Sequence, residues 1–227
     1  MALSGITSLA TQYVLGELAG EYSRRAGIDV NIVMMGGVDA AARIRAGEPC
    51  DFVCLARDVI AKLEGEGHVL RGSATDVATS GVAVAVRAGG ALPDISTEAA
   101  VRAAIASAPS VGYSTGPSGV YLAKLFERWG IKPNLVQAPP GVAVGTLLAK
   151  GEVALGFQQM SELVHVDGIT IVGPLPPAIQ LETMFTAAAC TTSGQPEATW
   201  AWLAFLASPS TAEAKRRHGM SQASVKG

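Results

Sequence analysis

Residues 2–27 read ALSGITSLATQYVLGELAGEYSRRAG, and this stretch decides the fold class. A short apolar run, Ala2–Thr7, predicts a buried strand, and Ser8 predicts the N-cap of the helix that follows. Val14, Leu15, Leu18, Ala19 and Tyr22 recur at helical spacing on one face, while Glu17, Glu21 and Arg24 fall on the other. Gly27 supplies the left-handed residue that ends a helix at Ala26. The result is one βα unit.

The same punctuation recurs outward from it. Val30–Met34 predicts a strand that meets Gly36-Gly37 and a helix over 38–46, and Asp51–Leu55 predicts a strand feeding a helix over 58–66. GVAVAV (81–86) reads as a buried strand, and RAGGALPDIS (87–96) as a loop. Helices are then predicted over 97–107, 120–129 and 141–150, with strands at 110–113, 134–137 and 153–157 and a short helix around Ser161. A strand at 170–172 runs into a proline-rich stop; strand 182–190 and helices 197–207 and 209–218 close the chain. Apolar runs alternating with glycine-terminated amphipathic stretches predict an α/β fold around a largely parallel sheet. Two lobes are expected, one from residues 1–90 and 178–227, the other from 91–177, with RAGGALPD and PLPPAIQ as the two crossings and a ligand cleft between the lobes.

Composition excludes several function classes. Of 227 residues, 49% are hydrophobic and 16% charged, which is enough apolar surface to order the chain. The net charge is −2, and adjacent basic residues occur only as Arg24-Arg25 and Lys215-Arg216-Arg217, so no nucleic-acid partner is expected. Without some 18 consecutive apolar residues, no membrane insertion is expected either. The start of the chain lacks the basic and apolar blocks of an export signal, so the chain as written is expected in the cytoplasm, or in the periplasm if its N-terminus has been trimmed. Three cysteines, Cys50, Cys54 and Cys190, make no disulfide framework, and an odd count fits a reducing compartment; Cys50 and Cys54 flank DFV in a strand, about 13 Å apart, too far to bridge, and read as small core residues. His68, His165 and His218 are scattered, so no metal site is expected.

In α/β sheets, ligands sit beyond the carboxyl ends of strands, where helix N-termini offer N–H donors. Four such ends are candidates: Ser8 and Thr11 after the first strand, Gly36 and Gly37 after the second, Ser114 to Gly119 before a helix, and Gln158 and Gln159 after strand 153–157. STGPSGVY (114–121) is the sharpest. Gly119 allows close backbone approach, Ser114 and Ser118 supply hydroxyls, and Tyr121 adds a phenol, a set suited to a small oxyanion or carboxylate. An ordinary capped turn, with Ser118 as N-cap, uses the same residue types. No dinucleotide fingerprint or P-loop occurs there, so no cofactor is expected, and no nucleophile elbow or HExxH motif assigns a catalytic residue.

Longer segments carry a resemblance. ARIRAGEPCDFV (42–53), GVAVAV (81–86), YSTGPSGVYLAKLFERWGI (113–131), LLAKGEVALGFQQMSEL (147–163) and TIVGPLPPAIQLETMFTAAA (170–189) together resemble the type II solute-binding proteins of the molybdate-binding class, and within it the branch that includes aconitate isomerase. The resemblance implies two α/β lobes with an anion between them and, for an exported protein, a membrane transporter as partner. Molybdate binders carry a serine after each of the first two strands; here Ala10 and Gly36–Val38 stand there, which argues for a bulkier anion such as an organic carboxylate. Binding without chemistry is the first expectation. The alternative is an isomerase that shifts a proton along an unsaturated di- or tricarboxylate, for which Tyr113, Tyr121 and Glu162 are the titratable groups near the expected cleft.

Overall fold

A computed structural model describes residues 2–223. The chain begins with β1 (Ala2–Ser8), a 3-10 turn (Leu9–Thr11), α1 (Gln12–Ala26), β2 (Asp29–Met35), α2 (Gly37–Arg45), β3 (Phe52–Ala56), α3 (Arg57–Gly65) and the long β4 (Thr75–Arg87). It continues through α4 (Glu98–Ser107), β5 (Val111–Tyr113), α5 (Pro117–Trp129), β6 (Leu135–Gln137), α6 (Val144–Lys150), β7 (Leu155–Gln159), α7 (Met160–Leu163) and β8 (Ile169–Pro174). After a 3-10 turn at Pro177–Ile179 come β9 (Glu182–Ala189), α8 (Pro196–Ala207), α9 (Ala212–Arg217) and β10 (Ser221–Gln222).

These elements form two compact units, Met1–Thr79 with Met184–Gly227, and Ser80–Thr183. In the first, β1 pairs in parallel with β2 and β3, and β9 runs antiparallel to β3. Both sheet faces are covered. Leu3, Leu15, Leu18 and Phe52 pack with Trp202 and Leu206 on one side, and Ile6, Ile44, Val53, Ile60 and Leu63 form the core on the other. Burial on both faces is why β3 reads FVCLA without polar alternation. In the second unit β5 lies parallel to both β6 and β7, while β7 and β8 run antiparallel to β4. Val84, Ile105, Leu122, Phe126 and Phe157 fill one face, and Ala83, Val144, Leu148 and Leu163 the other.

The sheets are therefore mixed rather than largely parallel, because β4 and β9 run against their neighbours. The chain passes between units inside β4, at Thr79-Ser80, and inside β9, at Thr183-Met184, while the loops RAGGALPD and PLPPAIQ both lie within the second unit. A crossing inside a strand carries no glycine or proline punctuation. Helix α5 starts at Pro117, three residues before the expected Val120, since a proline at the first helical position has its φ preset. Helix α6 starts late, at Val144, because Gly141 sits at φ 79, outside helical space.

Candidate functional site

Within the first unit, β1 ends on a cluster of hydroxyls. Thr7 Oγ1 donates to the Cys54 carbonyl at 3.1 Å and lies 2.5 Å from Thr11 Oγ1, which also reaches the Ser8 carbonyl at 3.2 Å. Thr11 is fully buried, so its hydroxyl braces the strand end instead of facing outward. Ser8 differs. Its Oγ has one long contact, 3.4 Å to Thr11, and it makes no capping bond to the turn that follows. A Cβ added at Gly37 would lie 3.9 Å from the Ser8 Cβ, which places the start of α2 beside that hydroxyl. Gly36 is the N-cap of α2, and the Asp39 carboxylate stands 3.4 Å from where its Cβ would be. A carboxylate there offsets the positive end of α2.

Arg57 is held in an ion pair. It opens α3 directly after β3; its Nε donates to Asp76 Oδ1 at 3.0 Å, a second guanidinium nitrogen reaches Oδ2, and Thr186 Oγ1 donates to Oδ1 at 2.7 Å.

In the second unit, the turn after β5 is held by its own serines. Ser114 Oγ lies 3.1 Å from Ser118 Oγ and accepts the Gly116 N–H at 3.3 Å; both serines are buried. Gly116, not Ser118, is the N-cap of α5, and it has no side chain to accept an amide. Pro117 lacks an N–H and the amides of Gly119 and Val120 turn back onto the Gly116 carbonyl, which leaves Ser118 N–H without an intrahelical acceptor. Gly119 is sterically required: a Cβ there would lie 1.7 Å from the Ser114 carbonyl oxygen. The off-site helix α4 provides the contrast, for its Thr97 N-cap accepts the Ala100 N–H.

Tyr121 points elsewhere. Its phenol donates to the Ile179 carbonyl at 2.8 Å and pins the 3-10 turn at Pro177–Ile179; burial raises its pKa. The two glutamines at the end of β7 part company because successive residues of a strand face opposite sides. Gln158 Oε1 accepts the Val144 N–H at 2.7 Å, closing the start of α6, and its Nε2 donates to Glu162 at 2.8 Å. Gln159 Nε2 donates to Thr183 Oγ1 at 2.7 Å, while its Oε1 and the nearby Ser161 Oγ are buried without a protein partner. Unpaired buried polar atoms are costly, so they mark where a ligand or water belongs. Glu162 is half-buried, and loss of water pushes its carboxyl up to about 7, against the lowering by the Gln158 amide.

The structure thus gathers Ser8 with Gly37, Ser114 with Ser118 and Gly119, and Gln158 with Glu162, and it directs Thr11 and Tyr121 into structural bonds. Among the described residues no three His, Cys, Asp or Glu side chains cluster as metal ligands, and no helix is long and apolar enough to cross a membrane.

Known proteins share this layout. The family model described as bacterial extracellular solute-binding protein matches residues 5–221. An aconitate isomerase from Pseudomonas sp is 36% identical, over 95% of this chain and 87% of that protein. Among solved structures, the periplasmic molybdate-binding protein of Azotobacter vinelandii superposes with a TM-score of 0.81 at 19% identity, covering 98% of this chain and 100% of that one. The tungstate ABC transporter protein of Geobacter sulfurreducens gives 0.71 at 15% identity, covering 94% and 97%. At those identities the two structures speak to the fold alone.

Proposed function

The chain belongs to the bacterial extracellular solute-binding protein family, and on that premise we propose that it binds a small anion through donors at the carboxyl ends of its strands. The observation that carries this reading is the turn before α5. Two buried serine hydroxyls meet beside a helix start with no capping side chain, and Ser118 N–H has no acceptor of its own. Hydroxyls and amides at a helix start hold a single anion without any basic patch, which suits a net charge of −2. The end of β2 favours a carboxylate-bearing organic anion over molybdate. Glycines stand there instead of a hydroxyl, and the 36% identical relative is named for an organic carboxylate. Since the family is extracellular, the periplasm is the better of the two locations weighed, with a membrane transporter as the receiving partner.

Glu162 supports a second reading, that of an isomerase. A carboxyl pushed up to about 7 exchanges its proton readily at neutral pH, as moving a proton between two carbons of an unsaturated carboxylate requires, and the aconitate isomerase relative points the same way. One experiment separates the readings. Calorimetry with molybdate, cis-aconitate and trans-aconitate reads binding, and NMR in deuterated water follows the double bond. Binding of a carboxylate without turnover supports the receptor; turnover abolished by Glu162→Gln supports the isomerase; tight molybdate binding overturns the preference for an organic anion.

A further inference from the structure

Outside the strand ends, one cluster of reactive side chains is unused by either reading. Cys50, just before β3, and Cys190, just after β9, are both buried, and their sulfurs lie 3.4 Å apart although the residues are 140 positions apart in the chain. They belong to the two separate segments that make up the first unit. Their surroundings hold them in place: Cys190 N–H donates to the Asp51 carbonyl at 2.9 Å, and Thr192 Oγ1 donates to the Cys50 carbonyl at 3.0 Å. We infer that Cys50 and Cys190 are a modification site, oxidised to a disulfide that ties the two segments of the first unit together.

The sulfurs need to close by a little over an ångström to reach the disulfide bond length of about 2.0 Å. The chemistry is exchange with an external disulfide, of a small molecule or of an oxidant protein. The Cys50 thiolate attacks one sulfur of that disulfide and displaces the other as a thiol. Cys190, deprotonated, then attacks the mixed disulfide at Cys50 and releases the second thiol. Two protein thiols are oxidised, the incoming disulfide is reduced, and the two protons end on the released thiols. Cys50 is the first nucleophile because it is the more exposed of the two, 5% against 1%, and the Cys190 S–H can donate to its thiolate. Cys54 takes no part; burial pushes its thiol up to about 12, and it lies on the strand interior beside Thr7 and Thr11. Extracellular family members work where such exchange runs toward disulfides.

The full-length protein is equilibrated with oxidised glutathione, then unfolded in guanidinium chloride and its thiols counted, with mass spectrometry locating the residue that remains alkylated. The expected result is loss of two of the three thiols, a chain lighter by two hydrogens, Cys54 as the residue alkylated, and a thermal midpoint above that of the reduced protein. Cys54→Ala is expected to lose both its thiols, whereas Cys50→Ala and Cys190→Ala form no internal bridge and show no rise in midpoint. Three titratable thiols after equilibration, a bridge containing Cys54, or an internal bridge in either Cys50→Ala or Cys190→Ala overturns the assignment. The wild-type count needs no variant to fold.

Discussion

Replacing Gly119 with alanine tests the turn proposed to hold the anion. The added Cβ would lie 1.7 Å from the Ser114 carbonyl oxygen, 2.7 Å from its carbon and 3.2 Å from the Tyr113 ring. Two of these atoms are backbone, so no rotamer relieves the clash, and the oxygen must withdraw by more than an ångström. Overpacking of this kind costs about 1–3 kcal/mol. The shift also breaks the 3.1 Å contact between Ser114 and Ser118, worth about 1 kcal/mol. Alanine is the better helix former by up to ~1 kcal/mol, so the clash wins and the net loss is roughly 1–3 kcal/mol. For a chain of this length that lowers the thermal midpoint by roughly 2–12 °C. Because the donors move with the turn, anion affinity falls at least tenfold in the same preparation. Gly37→Ala is the control: at the first position of α2 its Cβ would meet nothing nearer than the Ser8 Cβ at 3.9 Å, so its midpoint does not fall below the wild-type value. Differential scanning calorimetry and titration calorimetry read both quantities. A Gly119→Ala protein with wild-type midpoint and affinity would refute the geometry of the turn.

Three further outcomes follow from the same structure. Tyr121→Phe removes a hydrogen bond to the Ile179 carbonyl, so stability falls by about 1 kcal/mol in a denaturant titration while anion affinity holds; a selective loss of affinity would return the phenol to the site. Lys215 is fully buried, and desolvation lowers its pKa to about 8 from an ordinary 10.5. The unfolded chain therefore binds the extra proton between those values, so wild-type stability rises by up to about 3 kcal/mol from pH 8 to 10.5, a rise that Lys215→Met lacks; its own loss of the bonds from Nζ to the Leu206 carbonyl and Gln222 is the same at every pH, and a pH-independent difference between the two proteins contradicts a buried charge. If NMR detects turnover, its rate against pH is expected to bend near 7 in wild type and to lose that bend in Glu162→Gln, and a bend surviving the substitution assigns the proton transfer to another group.

Much of the fold was written locally. Helix α1 ends where Gly27 stands at φ 67, and β3 is apolar throughout because both its faces are covered. The unit boundaries were not, since Thr79-Ser80 and Thr183-Met184 lie mid-strand, where nothing in the residue types signals a change of unit. For the site, the serines of STGPSG could be read because a tight turn brings its own residues together. Tyr121 could not, because its acceptor is a carbonyl 58 positions away. The separation of Gln158 from Gln159 was available in principle from the two-residue period of a strand, which forbids both amides from facing one ligand. The meeting of Cys50 with Cys190 depends on β9 pairing with β3, a contact between distant segments that spacing along the chain does not encode.

Titration calorimetry of wild type and Ser118→Ala with cis-aconitate, trans-aconitate, citrate and molybdate tests the central claim most directly. One-to-one binding of a carboxylate with about micromolar or tighter affinity is expected in the wild type, weakened by about 1–3 kcal/mol when the Ser118 hydroxyl is removed. No binding of any of these anions at millimolar concentration, or an affinity that Ser118→Ala leaves unchanged, would contradict it.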